Sequence, residues 1–91
     1  MNYTIEFSNE AKKVIEKYKK SNPAAYRKVS GLLIEIAQHP RDGTGHPEPL
    51  VSGNDVRYSR RISGKDRIVY DIFDEKILVL IVEAGGHYSD K

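Results

Sequence analysis

Val56-Arg57-Tyr58-Ser59-Arg60-Arg61-Ile62, then Ser63-Gly64-Lys65-Asp66, then Arg67-Ile68-Val69-Tyr70-Asp71-Ile72-Phe73 read as a β-hairpin, and this stretch decides the fold. Along the first arm Val56, Tyr58, Arg60 and Ile62 share one face, and Arg57, Ser59 and Arg61 share the other. Ser63-Gly64-Lys65 has turn chemistry, and Arg67 to Phe73 forms the returning arm. A three-residue loop sets Ile62 opposite Asp66 and Arg61 opposite Arg67. A slip of one residue would part the two arginines. Opposed guanidiniums repel unless they are solvated or share an anion. A solvated charged strand is one reading; a phosphate held bidentately is the other.

Outward from the hairpin, Asp74-Glu75 marks the next turn and Ile77 to Glu83 the last strand. That strand is apolar enough to predict a central position covered on both faces. Upstream, residues Arg41 to Pro49 hold two glycines and two prolines, which predicts a loop. Before it come two helices. Ser8 is a helix N-cap with Glu10 in the first turn, and Ala11, Val14, Ile15 and Tyr18 fall on one face. Ser21-Asn22-Pro23 ends that helix and starts the next, whose apolar stripe is Tyr26, Val29, Leu33 and Ile36. His39-Pro40 stops it. Tyr3 to Phe7 alternates as a first strand. The order predicts one α+β domain over residues 1–91. An N-terminal strand and two helices pack on one face of a mainly antiparallel sheet, and a strand meander ends the chain. The other sheet face is left to bind something.

The chain has no cysteine, which excludes disulfides and thiolate metal sites. Its longest apolar run, Ile77 to Val82, is strand-sized, so no membrane association is expected. The start, Met1-Asn2-Tyr3-Thr4, lacks the pattern of a signal peptide, and the expected location is the cytoplasm. A net charge of +2 is too small to mark a nucleic-acid binder. Its distribution says more. Arg57, Arg60, Arg61, Lys65 and Arg67 face one acid, Asp66, over eleven positions, a surface suited to a polyanion.

Glu48 lies between Pro47 and Pro49, each of which fixes its own φ and restricts the residue before it. The carboxylate is either a stiffly presented general base or a solvated acid on a rigid connector. His87 has the titration range of a proton donor at neutral pH, or is simply an exposed histidine near the end of the sequence. His39 and His46 match no metal-binding spacing, and Gly43-Thr44-Gly45 is too little for a phosphate loop, so no metal or cofactor is expected. Tyr58 and Tyr70 suit strand packing. Tyr88, among these charges, can stack on an exposed base.

Four stretches together carry a resemblance: Gly43-Thr44-Gly45-His46-Pro47-Glu48-Pro49-Leu50, Tyr58-Ser59-Arg60-Arg61-Ile62, Asp66-Arg67-Ile68-Val69-Tyr70 and His87-Tyr88. In order and spacing the chain resembles the YoeB/Txe branch of the RelE/ParE superfamily of bacterial toxins, over essentially its whole length. The resemblance implies a RelE/ParE-like fold and an endoribonuclease that cuts messenger RNA in the A site of the small ribosomal subunit. It implies Glu48 as general base on the ribose 2′-hydroxyl, Arg67 as the cation on the phosphate and His87 as acid on the leaving 5′-oxygen, with no metal. Arg57, Arg60, Arg61, Lys65 and Tyr88 are the expected RNA contacts. The implied partners are a YefM-type antitoxin, the ribosome and mRNA, with operator DNA reached only through the antitoxin complex; a homodimer is compatible with all of these.

The chain also departs from the pattern. Gly85-Gly86 precede His87 where relatives carry larger residues, and Ser89-Asp90-Lys91 follow Tyr88. Two glycines are expected to loosen the backbone before His87. Tyr58 stands where tryptophan is common, and Val51 where lysine is common. Two other readings stay open: a non-catalytic toxin that binds gyrase as the ParE branch does, and a decayed toxin retained as an antitoxin ligand.

Overall fold

The computed structural model describes residues 2–50 and 56–86. Its elements run β1 (Thr4–Phe7), α1 (Asn9–Ser21), α2 (Pro23–Gln38), β2 (Glu48–Pro49), β3 (Arg57–Arg61), β4 (Arg67–Phe73) and β5 (Leu78–Gly85). They form one sheet in the order β1-β5-β4-β3-β2, with β1 parallel to β5 and every other pair antiparallel.

Local chemistry sets the helix boundaries as the sequence predicts. The Ser8 hydroxyl accepts from the Ala11 amide at 3.0 Å and donates to the Val82 carbonyl at 2.6 Å, so one side chain caps α1 and ties it to β5. Asn22 accepts from the Ala25 amide, with Pro23 opening α2. From α1, Ala11 and Ile15 are buried; from α2, Val29, Leu32 and Ile36. The second stripe therefore runs through Leu32, with the expected Leu33 only half-buried. These residues pack on Tyr58, Ile62, Ile68, Tyr70, Ile72, Val79 and Ile81, all on one face of the sheet.

The hairpin register is the predicted one, with Arg61 opposite Arg67. The last strand differs from expectation. Asp74–Lys76 form a 3-10 turn closed by Ile77 in the left-handed region at φ 50°, so β5 starts one residue later and runs on to Gly85. β4, not β5, holds the middle of the sheet, and Leu78 and Leu80 on the second face of β5 are only half-buried. Pairing also slips between Val69 and Tyr70: Val69 faces Glu83 and Tyr70 faces Ile81, leaving Val82 as a bulge. Strict alternation would send Ile81 and Glu83 to the same side. The bulge sends Ile81 into the core and Glu83 to the opposite face.

Candidate active site on the open sheet face

Among the described residues no helix lies on the second sheet face. Directly paired residues project to the same side, so register alone sets what stands there. One row across the sheet reads Glu48, Ser59, Val69, Glu83; the next reads Arg61, Arg67, Gly85. Ser59 and Val69 are closed off from solvent and form the floor. Glu48 is exposed on the edge strand and Arg61 is exposed beside it. Glu48 and Arg61 are diagonal neighbours, about 7–8 Å apart at the backbone, within reach of a shared anion. Arg67 stands one strand further and is half-buried. The fold thus brings Glu48, Arg61 and Arg67 to one patch, and Lys65 lies exposed in the turn that joins the two arginine-bearing strands.

Arg57 also faces this side, but it is committed. Its Nε and Nη2 donate to the two Asp71 oxygens at 2.7 and 2.9 Å. Asp71, with a further contribution from Glu83, holds the guanidinium above its ordinary value. Glu83 is a further carboxylate on the face, beside Glu48 and Asp71, that sequence reasoning missed; the bulge that turns it outward leaves no mark in the alternation of residue types. Asp66, the one acid of the basic segment, turns toward the helix layer, where it accepts from the Tyr18 hydroxyl at 3.4 Å. Burial first, then the Asp66 charge, pushes the Tyr18 hydroxyl up to about 12.

Arg60 is a correction. The charge cluster predicts it among the RNA contacts, but its side chain has no exposed surface. It points inward between Tyr58 and Ile62, the face its place in the alternation assigns. Nε donates to the Tyr70 hydroxyl at 3.0 Å; Nη1 donates to Glu35 Oε1 at 3.1 Å and the Thr44 carbonyl at 3.2 Å. Nη2 donates to the carbonyls of His39, at 2.5 Å, and Asp42, at 2.8 Å. All five guanidinium donors are used. A buried cation tolerates removal from water only with such saturation. Glu35 in turn accepts from the Thr44 amide at 2.8 Å and hydroxyl at 2.7 Å, and these bonds, with Arg60 behind them, hold its carboxyl below the usual range.

The two glycines ahead of His87 have different surroundings. Gly85 has φ +112° and pairs with Arg67. A Cβ on Gly86 would sit 2.9 Å from the Lys65 carbonyl oxygen and 2.6 Å from Asp66 Oδ1. Gly86 is therefore fitted against the hairpin turn, a place with no room for a side chain, and Gly85 holds a φ that favours glycine. His87 and Tyr88 lie outside the described residues.

A groove of about 760 Å³, lined by Phe7, Ile15 and Tyr26 with Lys12, Lys19 and Lys20 at its rim, lies on the helix side, away from Glu48 and Arg67. The charged groups that can act on a phosphodiester select the open face instead.

A mixed five-stranded sheet covered by two helices on one side has the architecture of the RelE-type bacterial toxins. The chain belongs to the YoeB-like toxins of bacterial type II toxin–antitoxin systems, whose family model matches residues 7–88. It is 33% identical over 72 residues to the YoeB toxin of Synechocystis, covering 79% of this chain and 81% of that protein. It is similar in structure to the YoeB dimer from Staphylococcus aureus, with a TM-score of 0.82 and 29% identity over 97% of this chain and 100% of that one. The toxin in the YoeB–YefM complex from the same organism matches with a TM-score of 0.80 and 30% identity, over 97% and 100%.

Proposed function

We propose that this toxin is a ribosome-dependent endoribonuclease that cleaves messenger RNA by attack of a ribose 2′-hydroxyl on the adjacent phosphodiester. One observation carries the reading: Glu48 shares one sheet face, in adjacent rows, with Arg61 and Arg67. In this reading Glu48 takes the 2′-hydroxyl proton. Arg67, with Arg61 beside it, stabilises the charge that builds on the phosphate oxygens. His87, two residues beyond the Gly85 that pairs with Arg67, protonates the leaving 5′-oxygen. The oxygen attacks in line, a 2′,3′-cyclic phosphate forms, and the downstream RNA leaves with a 5′-hydroxyl. Base, cation and acid are all side chains, so the reaction needs no metal.

Glu48 and Arg67 are two strands apart and two residues offset, about 10 Å by 7 Å at the backbone, a span that a nucleotide and two long side chains bridge. A patch with few base-reading groups favours a substrate already held in shape. The ribosome supplies such an mRNA, and its RNA supplies phosphates for Lys65 and an exposed base for Tyr88 to stack on. We further take a YefM-like antitoxin as the partner that neutralises this chain in the cytoplasm and mediates any contact with operator DNA.

The test is primer extension on a defined mRNA in a purified translation system, wild type beside Glu48→Gln. Cuts within A-site codons that need ribosomes and fall at least about 100-fold in the variant, to a slow residual cleavage, are expected. Growth arrest by the wild type without any cut mRNA would overturn the reading and point to a non-catalytic target such as gyrase.

A further inference from the structure

The nine residues between α2 and Glu48 have no regular secondary structure, and β2 itself is two residues long. A general base on so short a strand is placed only as well as the chain leading into it. That chain is held from inside the protein. The carbonyls of His39, Asp42 and Thr44 accept from Arg60, and the Pro40 carbonyl accepts from the Tyr70 hydroxyl at 2.7 Å, itself bonded to Arg60. Glu35 closes the ring by holding both Arg60 and Thr44. The next backbone bond, from the Arg61 amide to the Gly45 carbonyl at 2.8 Å, and that from the Leu50 amide to the Arg57 carbonyl at 3.0 Å, complete the entry and exit of β2.

We propose that Arg60 is a positioning residue for the reaction: its buried guanidinium fixes the segment 39–44 and so sets the carboxylate of Glu48 against Arg61 and Arg67. This rests on the nuclease reading of Glu48. Arg60 precedes Arg61 and follows Ser59, the residue that pairs with Glu48. One strand therefore carries the anchor on its inner face and the pairing partner of the base beside it. Any tilt of the segment is referred to the same backbone that presents the phosphate-binding arginines.

The informative variant is Arg60→Lys, which keeps the charge but replaces a planar five-donor fork by a point charge with three donors. We expect cleavage at saturating ribosomes to fall roughly 10- to 100-fold, with the half-saturating ribosome concentration unchanged. In a Glu48→Gln background the same change should cost no more than about 2-fold, because the group being positioned has already lost its function. Tyr70→Phe, which deletes only the hydroxyl between Arg60 and Pro40, should repeat the pattern at smaller size.

Amide hydrogen exchange reads the anchoring without any catalysis. In Arg60→Lys, exchange at Thr44 and Leu50 should rise about 10-fold while Val79 in β5 stays protected. An equal fold-loss of activity in both backgrounds, or unchanged protection at Leu50, overturns the proposal. Wild-type protein that cuts no mRNA overturns the nuclease reading and the catalytic half of the proposal, and the exchange result then decides the anchoring alone.

Discussion

Arg60 and Arg61 are neighbours on β3 with the same side chain and opposite fates. Arg60 is fully buried and gives every donor to the loop, to Glu35 and to Tyr70. Arg61 is exposed and faces another arginine. The difference is one of parity along a strand. Each residue turns the side chain by half a revolution, so adjacent positions serve different faces whatever their chemistry. A cluster of basic residues in sequence is therefore not yet a basic surface. Here it divides into an internal clamp and an external patch.

The largest test of that division is a pair of alanine substitutions. Arg60→Ala leaves the His39, Asp42 and Thr44 carbonyls without their donor, at about 1–3 kcal/mol for each group that water cannot reach. We expect a loss of roughly 3–5 kcal/mol in urea unfolding, a large share of the stability of a small domain. Arg61→Ala should stay within about 1 kcal/mol of wild type and relieve like-charge repulsion across the hairpin. Similar losses for the two would break the comparison.

Glycines of the hairpin end divide in the same way as the arginines. Gly86 has no room for a Cβ between the Lys65 carbonyl and Asp66. Gly86→Ala must shift backbone against backbone, and we expect a loss of about 1–3 kcal/mol, read as a lower Tm. At Gly64, in the same turn, an added methyl group would meet nothing within 4 Å, so Gly64→Ala should be near neutral. If Gly86→Ala is equally neutral, the end of β5 is looser than its packing implies.

Much of the fold is legible because local signals agree with one another. Ser8 and Pro23 place the helix starts, and the three-residue turn fixes the hairpin register. The pattern even places Arg60 with Tyr58 and Ile62. Charge density argues the other way and puts the residue on the surface, and parity wins. Glu83 is illegible for a different reason. Its face depends on the bulge at Val82, held in part by the Ser8 hydroxyl some seventy residues earlier, and no local pattern records a contact of that range. The Glu35 anchor is hidden likewise, since its partners include backbone atoms of a loop.

Glu83 offers a smaller test of the outer face. Its carboxylate contributes to the field on Arg57 and lies diagonal to Arg67. Neutralising it as Glu83→Gln should strengthen binding to a short single-stranded RNA by roughly two- to five-fold at low salt, fading as salt screens the charge. Stability should not change measurably. Weaker RNA binding in the variant would mean that Glu83 supports the arginines instead of opposing their ligand.

The smallest expected effect lies where the inner clamp reaches the surface. Glu35 keeps 38% of its side chain exposed, and its carboxyl is held low by the Thr44 hydroxyl and amide and by Arg60. A depressed carboxyl pKa means that the native state prefers the charged form more than the unfolded chain does. The stabilisation is complete above about 4.5, the ordinary value, and disappears as pH falls through the lower native one. Protection of the Thr44 amide, measured against its intrinsic exchange rate, should therefore hold at about pH 5 and fall in stronger acid, while Val79 remains protected. In Glu35→Gln the acid step should be absent, since that side chain does not titrate. A step that persists in the variant would assign it to another carboxylate, and the clamp would then close without help from the charge on Glu35.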